Sequence, residues 1–332
     1  SHDGVSIMEN THWQGKKVLI TGPDGFVGSH LTEALLKLGA KVSVYVKEKT
    51  SDGPIQCQLG KIAHLVDEFE EIITGDIADK DAINLINRNG PEVIFHLAAK
   101  AYVPFSFDHP FEVMETNLIG TLNILEAARL NKNIKRVVCT SSSEAYGTAQ
   151  YVPIDEKHPL NPTSPYAASK VAADRYSFAY WNTYGVPVSI IRPFNMFGPR
   201  HTYDMVPKFI NLALEGKPIT VYGNGEQSRD LLYVDDAVEG FLIMGSHPDA
   251  VGKAVNFATG KDYSVNYCAQ KIKELTNSVS EIVHVEERAA EVDRLCGDYS
   301  YAKQLFGWEP KVSFEEGLKR NIEFVKNQKT SK

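Results

Sequence analysis

The segment Lys17–Gly28, KVLITGPDGFVG, decides the fold because it encodes a strand, a glycine turn and the start of a helix in that order. Its first five residues, KVLIT, are mostly apolar and β-favouring and predict a buried strand. Gly22 permits a tight turn, Gly25 lets the backbone approach a pyrophosphate, and Gly28 lets the following helix pack closely on the sheet. Because a helix N-terminus attracts phosphate, the segment predicts a dinucleotide site.

Short apolar runs alternate with amphipathic helical stretches along the first part of the chain, which is typical of a parallel sheet with helices on both faces. We expect an α/β fold, a doubly wound parallel sheet of the Rossmann type followed by a smaller C-terminal α/β substrate-binding domain. The predicted strands are 17–21, 41–46, 72–74, 93–97, 136–141 and 188–192. The predicted helices are 26–38, 79–89, 113–130 and 165–184.

The expected domains follow from these elements. Residues 1–14 are expected to be a tag or a disordered N-terminus without a signal peptide. Residues 15–193 are expected to form the dinucleotide-binding domain and residues 194–330 the substrate-binding domain, with interleaving of the chain between the two.

A second segment supplies candidate catalytic groups. Tyr166–Lys170, YAASK, follows Ser141–Gly147, SSSEAYG, and together they supply a phenol, an ammonium, hydroxyls and a carboxylate. In a helix Tyr166 and Lys170 share one face, so the cation is expected to lower the phenol pKa from about 10 by about 1 to 3 units and make it a general base. The spacing alone also fits a surface pair, but the glycine turn supports a redox site.

Together with further motifs, these segments resemble the extended short-chain dehydrogenase/reductases that act on nucleotide sugars, over nearly the full chain. The stretch Tyr146–Asp174 is most similar to nucleotide-sugar 4,6-dehydratases. The further motifs are Gly75–Ile77, His96–Ala99, Asn117–Thr121, Arg192–Asn195, Gly198–Arg200 and Arg229–Asp235.

The resemblance implies a nicotinamide cofactor, NADP or NAD, that is tightly bound and regenerated in each turnover. Val46 stands where an acid would hold the ribose of NAD, and Lys47 follows it, so the pattern favours NADP, although a solvated loop also fits. Asp76 would contact the adenine or cap the next helix. The implied cofactor-binding residues are Gly22, Gly25, Phe26, Val27, Gly28, Lys47, Asp76, Ile77, Leu97, Ala98, Ala99, Asn117, Tyr166 and Lys170.

The implied catalytic residues are Ser142, Glu144, Tyr166 and Lys170. Tyr166 would remove the proton of the sugar 4-hydroxyl with help from Ser142, and Glu144 would then remove the C5 proton. Glu144 also fits a turn cap. The implied substrate-binding residues are Ser143, Asn195, Arg229 and Arg288, in which the arginine forks suit a diphosphate.

The function that these residues favour is an NDP-sugar 4,6-dehydratase, a lyase. The alternatives are an NDP-sugar 4-epimerase, an enzyme similar to UDP-glucuronate decarboxylases, and a non-catalytic dinucleotide-binding protein. The residues leave the nucleotide, UDP, GDP, dTDP or CDP, and the sugar open, and with them the pathway and its final glycan.

Composition limits the partners. The chain has 332 residues, 43% of them hydrophobic, and a net charge of −7, which speaks against nucleic-acid and membrane surfaces and fits a cytoplasmic enzyme. Its four cysteines lack C-x-x-C pairing, so no metal is expected. A homodimer is expected through helices 113–130 and 165–184, with close packing at Ala127–Ala128 and Ala172–Ala173.

Overall fold

The computed structural model describes residues 11–47, 59–100, 103–288 and 292–331. The chain divides into two compact units. Unit 1 draws on the ranges 1–141, 169–191 and 238–254, and unit 2 on the ranges 142–168, 192–237 and 255–332. The boundary expected after residue 193 lies two residues from the crossing after residue 191.

A seven-stranded sheet dominates the fold. Its strands are β1 (Lys17–Thr21), β2 (Lys41–Val46), β3 (Glu71–Thr74), β4 (Val93–His96), β5 (Arg136–Thr140), β6 (Val188–Pro193) and β11 (Ala254–Phe257). They lie in the order β11-β6-β5-β4-β1-β2-β3, and the pairings from β3 to β6 are parallel. The prediction of a doubly wound parallel sheet is confirmed, and each predicted strand differs from the observed one by at most one residue at either end.

The strand order reverses at β1, which pairs with both β2 and β4. In such sheets a crevice opens beyond the carboxyl ends of the two strands at the reversal, and ligands bind there. Gly22 follows β1 and Leu97 follows β4, so both motifs lie at this position.

Eleven α-helices are described outside the N-terminal turn at residues 11–12, and the four helices that the sequence predicted overlap five of them. They are α1 (Phe26–Lys37), α2 (Asp81–Asn89), α3 (Val103–Asp108), α4 (Pro110–Met114), α5 (Gly120–Leu130), α6 (Pro165–Tyr184), α7 (Met205–Leu214), α8 (Val234–Ser246), α9 (Val265–Leu275), α10 (Ser300–Phe306) and α11 (Phe314–Thr330). The helix expected at 113–130 is instead α4 and α5 joined by a π-helical turn, Glu115–Ile119. Such turns often mark functional positions.

The N-terminal boundary expected at residue 15 is wrong. Trp13 is buried to 1% exposure, and its ring lies 5.6 Å from that of Phe95 in β4. Because an aromatic side chain of this size contributes strongly to a core, residues 11–14 belong to unit 1.

Unit 2 is built from short strands and helices. Its additional strands are β7 (Asn195–Phe197), β8 (Ile219–Tyr222), β9 (Ser228–Arg229), β10 (Leu231–Tyr233), β12 (Tyr263–Ser264), β13 (Ile282–Val285) and β14 (Arg294–Leu295). They form the small sheets β10-β7, β12-β9-β14 and β13-β8. Tyr146, Ile154 and Phe194 are among the fully buried residues of one of its hydrophobic clusters.

In the part of the chain that the structure describes, none of the helices is long and apolar enough to cross a bilayer. The same residues contain no group of three or more His, Cys, Asp or Glu side chains arranged to hold a metal ion.

Candidate active site

The glycine turn after β1 excludes side chains at two of its three glycines. Gly22 has φ +68°, and a Cβ there would lie 2.7 Å from the Ala98 nitrogen. A Cβ on Gly28 would lie 2.0 Å from the Gly22 carbonyl oxygen. Gly25 differs, because its Cβ would meet that oxygen at an ordinary 3.5 Å. Packing therefore requires glycine at 22 and 28, whereas glycine at 25 leaves the start of α1 bare, as a phosphate contact needs.

The first turn of α1 fits the pyrophosphate of a dinucleotide. Its N-cap is Gly25, which has no side chain to cap the helix. Phe26 and Val27 are buried, so their side chains pack into the protein. The backbone N–H groups of the first turn, which have no intrahelical acceptor, are the groups that remain for an anion.

The residues expected around the adenosine lie at the ends of β2 and β3. Lys47 directly follows β2 and is exposed, while Glu48 and Lys49 lie outside the described residues. Asp76 accepts a hydrogen bond from the Ala78 N–H at 2.9 Å. Since α2 begins at Asp81, Asp76 closes a turn and is not the helix cap that the sequence offered as its alternative role. Ile77 is buried.

Backbone and side-chain hydrogen bonds fix the segment after β4. The N–H groups of Leu97 and Ala98 both donate to Thr21 Oγ1 at 3.1 Å, and Ala99 follows half-buried. Asn117, in the π-helical turn, is buried and accepts the Lys100 N–H at 2.8 Å. Its amide also donates to Ser169 Oγ at 2.9 Å, so much of its side-chain hydrogen bonding is made within unit 1.

Lys170 lies in α6 and is 6% exposed. Its Nζ donates to the Thr140 carbonyl oxygen. Burial lowers the pKa of Lys170 to about 8, opposed by the Cys139 thiol and the Asp174 carboxylate. A lysine held in this way titrates close to neutral pH, which suits a group that takes part in proton transfer.

The serine turn, which we define as Ser142–Gly147, follows β5. The Ser142 hydroxyl caps a 3-10 helix by accepting the Glu144 N–H at 3.1 Å. Tyr146 anchors the other end, because its hydroxyl donates to Asn256 Oδ1 at 2.6 Å and accepts from Arg192 Nη1 at 3.1 Å. Ser143 is buried, while Glu144 is half-buried.

Tyr166 is hydrogen-bonded to the Ser142 side chain. Burial raises the pKa of Tyr166 above its ordinary value, and the bond to Ser142 opposes this effect. The charges of Tyr203, Glu144 and Asp204 raise it further, so these groups lie around the phenol. The expected lowering of this pKa is therefore wrong for the protein alone, because removing a phenolate from water outweighs the other effects.

The residues expected to bind the substrate lie in unit 2. Asn195 begins β7, and among the described residues its buried Oδ1 has no hydrogen-bond partner, so it can accept from a ligand. Arg229 is half-buried and donates from Nη1 to the Ser228 carbonyl at 2.7 Å. Arg288 is exposed, with its guanidinium 4.7 Å from the ring centroid of Tyr222. Residues 289–291, which follow it, lie outside the described part.

Sequence reasoning missed two residues beside Arg288. Lys208 Nζ also lies 4.7 Å from the Tyr222 ring centroid, so two cations flank one aromatic ring. Both cations suit a phosphate and the ring suits a base or ribose. A signal was present, since Tyr222 directly precedes the Gly223–Gly225 turn, but the partner Lys208 is 14 residues away along the chain.

Comparison with known proteins places the chain in a family. Residues 19–321 match the GDP-mannose 4,6 dehydratase family. The chain belongs to this family. The predicted resemblance to the nucleotide-sugar enzymes of the extended short-chain dehydrogenase/reductases is thereby confirmed.

Three of the proteins that this chain is similar to are named for three different reactions. The UDP-glucose 4-epimerase of Mycolicibacterium smegmatis is 35% identical over 94% of this chain and 99% of that protein. UDP-glucuronic acid decarboxylase 1 of Xenopus tropicalis is 36% identical over 94% of this chain and 73% of that protein. The structure of dTDP-glucose 4,6-dehydratase from Bacillus anthracis, in complex with NAD, has a TM-score of 0.83 and 27% identity, covering 95% of this chain and 98% of that one. The family therefore supports a nicotinamide cofactor and is shared by isomerases and lyases.

Proposed function

We propose that the chain is an NDP-sugar 4,6-dehydratase. The observation that carries the proposal is the serine turn, in which Glu144 lies two residues after Ser142 and its charge acts on the Tyr166 phenol. A carboxylate beside the oxidising residues can remove a proton from the carbon next to a newly formed ketone. Epimerisation at C4 gives Glu144 no such task.

Each side chain has a separate role in the proposed reaction. Tyr166 accepts the proton of the 4-hydroxyl while Ser142 hydrogen-bonds the same oxygen. When held by the glycine turn and Lys170, a nicotinamide would supply the hydride chemistry at C4 and C6, and its positive charge would favour the phenolate form of Tyr166. Glu144 removes the C5 proton, which the C4 ketone has acidified. In its protonated form Glu144 then supplies the proton with which the C6 hydroxyl leaves as water. As the hydride arrives at C6, C5 takes a proton from solvent through Glu144, and Tyr166 releases the 4-hydroxyl proton to solvent, so the protons balance over the turnover.

The remaining residues would hold the nucleotide sugar. Arg229 and Arg288 suit the two phosphates because guanidinium groups donate in pairs to phosphate oxygens. Among the described residues Asn195 Oδ1 has no hydrogen-bond partner, and the family resemblance implies that Ser143 stands where dTDP-glucose dehydratases carry an acid. We propose that this substitution leaves both acid and base roles to Glu144.

The test replaces Glu144 by Gln, which keeps its size and removes the base. With the correct sugar nucleotide, Glu144→Gln should still reduce the bound cofactor, because C4 oxidation does not use the carboxylate. Formation of the 4-keto-6-deoxy product and exchange of the C5 proton with deuterated solvent should fall about 10²- to 10⁴-fold, the usual effect of losing a positioned base. Mass spectrometry of a panel of UDP-, GDP-, dTDP- and CDP-sugars measures the loss of water.

Tyr166→Phe is the matched control, since it should abolish cofactor reduction as well. A fully active Gln variant, or inversion at C4 without loss of water in the wild type, would replace the dehydratase by the epimerase that the 35% identical relative represents.

For the cofactor we propose NADP in preference to NAD. The support is the absence of an acid at Val46, the last residue of β2, and the exposed Lys47 next to it. A lysine at this strand end attracts a 2'-phosphate, whereas an acid would repel it.

We also propose a homodimer that forms through unit 1, but through a different surface from the alanine faces that the sequence predicted. Ala127, Ala128 and Ala173, which the sequence assigned to the interface, are buried within the chain, because these small side chains face the chain's own core. Exposed apolar side chains lie on helices α3 to α6 instead. Among them are Phe107, Phe111, Met114, Leu130, Tyr176, Phe178 and Tyr184.

Phe111, 78% exposed in α4, is the residue to test. Phe111→Asp should weaken self-association at least about tenfold, since it places a charge in a surface that would be buried. Light scattering across micromolar concentrations measures this, with Val279→Asp, 87% exposed in unit 2, as the control. A wild-type protein that is monomeric at these concentrations contradicts the proposal.

A further inference from the structure

His96, the last residue of β4, occupies an unusual position for a titratable side chain. It is 4% exposed, and both ring nitrogens have hydrogen-bond partners. Nδ1 lies 2.7 Å from Thr21 Oγ1, and Nε2 lies 3.0 Å from Thr121 Oγ1. The proposed chemistry gives this histidine no role.

The partners determine where its proton lies. Thr121 Oγ1 donates its single hydrogen to the Asn117 carbonyl oxygen, so it must accept a hydrogen bond from Nε2 of His96. Thr21 Oγ1 accepts the N–H groups of Leu97 and Ala98, the first of them shared with the Thr21 carbonyl oxygen, and donates its own hydrogen to Nδ1. The ring is then the neutral tautomer with its proton on Nε2, which donates to Thr121. Burial lowers the pKa of His96 to about 3, with the Lys170 charge adding to the effect, so the ring stays neutral at ordinary pH.

The chain of hydrogen bonds continues beyond Thr121. Its hydroxyl donates to the Asn117 carbonyl oxygen at 2.7 Å, and the Asn117 amide donates to Ser169 Oγ at 2.9 Å. Ser169 precedes Lys170 in α6. The side chain of His96 is thus connected, through two residues, to the helix that carries the redox lysine.

A second series of hydrogen bonds leads from Lys170 back to His96 and closes a ring of hydrogen-bonded residues. Lys170 Nζ donates to the Thr140 carbonyl oxygen, and the Thr140 hydroxyl donates to the His96 carbonyl oxygen at 2.8 Å. The ring therefore runs from His96 through Thr121, Asn117, Ser169–Lys170 and Thr140 and back to His96. All of its members lie in unit 1.

We propose that His96, as the neutral Nε2–H tautomer, is a positioning residue that holds Asn117 and Lys170 in register with the backbone after β1 and β4. It acts through other residues and touches neither substrate nor cofactor. The inference rests on the proposed oxidation at C4 and does not depend on the later elimination.

Two substitutions distinguish the roles of the two ring nitrogens of His96. His96→Asn keeps an acceptor near the Nδ1 position and loses the donor to Thr121, whereas His96→Gln keeps a donor near the Nε2 position and loses the acceptor for Thr21. Each removes one neutral hydrogen bond and should cost similar stability. A merely structural histidine would therefore give equal effects in the two variants.

The positioning role predicts unequal effects. In single-turnover reduction of the bound cofactor, the rate should fall about tenfold in His96→Asn and by less than about threefold in His96→Gln. Thr121→Val, which removes the next link, should match His96→Asn, and the double variant should be no slower than either, because both break one connection. Equal losses in the Asn and Gln variants, or additive losses in the double variant, would overturn the proposal.

Two measurements need no substrate and so stay informative if the proposed function fails. Nitrogen-15 spectra of histidine-labelled protein should show an unprotonated Nδ1 and a protonated Nε2 on His96, unchanged from pH 5 to 8. The amide of Lys100, which donates to Asn117 Oδ1, should exchange with solvent about tenfold faster in His96→Asn than in His96→Gln. The opposite tautomer, or equal exchange in the two variants, contradicts the proposal even when no sugar nucleotide reduces the cofactor.

Discussion

The glycine turn after β1 and the serine turn after β5 follow strands of the same sheet, yet they are built in opposite ways. The glycine turn excludes side chains, and a single Cβ on Gly28 would meet a carbonyl oxygen at 2.0 Å. The serine turn is made of side chains, with Ser142 capping it and Tyr146 tying it to Asn256 and Arg192. One presents bare backbone and the other presents functional groups.

This difference explains how one fold carries several reactions. A site made of backbone is fixed by steric limits, as at Gly22 and Gly28, so it has little freedom to change. A site made of side chains on an anchored turn can change its chemistry without refolding. Epimerases, decarboxylases and dehydratases among the relatives of this chain are consistent with that division.

Breaking the glycine turn should have the largest effect. Gly28→Ala drives a Cβ into the Gly22 carbonyl oxygen, so backbone must move. We expect a loss of about 3 kcal/mol in the free energy of unfolding, at the upper end for overpacking, together with loss of cofactor binding. Urea unfolding and fluorescence titration with NADH and NADPH measure the two effects.

Gly25→Ala is the control for this prediction, because its Cβ would meet the Gly22 carbonyl oxygen at an ordinary 3.5 Å. It should cost less than about 1 kcal/mol in stability and still weaken cofactor binding about tenfold by approaching the phosphate. If both variants lose equal stability, the steric distinction between the two glycines is wrong.

The stability that the serine turn contributes should depend on pH, whereas the stability that the glycine turn contributes should not. Glu156 accepts the Asn256 N–H at 2.8 Å, and Asn256 in turn binds Tyr146. Burial raises the pKa of Glu156 to about 7, opposed by the hydrogen bond from Asn256. Because the folded state binds this proton more tightly than the unfolded state, the stability it contributes is present below pH 4.5 and is lost as the pH rises through 7.

Glu156→Gln should remove this dependence and make the protein roughly 2 kcal/mol more stable than wild type at pH 8, a value reduced for partial exposure. Urea unfolding at pH 5, 6, 7 and 8 tests it. Burial also raises the pKa of Asp230, to about 6, and both proteins share that contribution. Parallel pH profiles for the two proteins would show that Glu156 is already ionised at low pH.

The parts that the sequence predicted are those set by local rules. Strand and glycine-turn positions follow from apolar runs and from the steric needs of Gly22 and Gly28, so β1 and β2 were predicted residue for residue. What failed depends on contacts distant in the chain. Trp13 is buried by Phe95, and the pKa of Tyr166 is raised by burial that no spacing reveals.

The candidate site shows the same limit. Tyr166, Lys170 and Ser142 could be named because their motif fixes their chemistry. The ring through His96 and Thr121 could not, because it joins residues 25 positions apart whose partners depend on the order of strands. The π-helical turn at Asn117 was hidden for a related reason, since Glu115–Ile119 has an ordinary helical pattern.

The smallest expected effect is on cofactor affinity at the edge of the cofactor site. There a side chain, and not the bare backbone, would determine the preference for NADP over NAD. Lys47→Ala should weaken binding of NADPH about fivefold and leave NADH unchanged, because an exposed ion pair contributes up to about 1 kcal/mol. Lys41→Ala, exposed at the other end of β2, is the matched control and should change neither affinity. Since the interaction is exposed, raising the salt concentration should narrow the difference between wild type and Lys47→Ala for NADPH alone. Equal affinities of wild type for the two cofactors, unchanged by Lys47→Ala, would assign cofactor choice to other residues and make Lys47 part of a solvated loop.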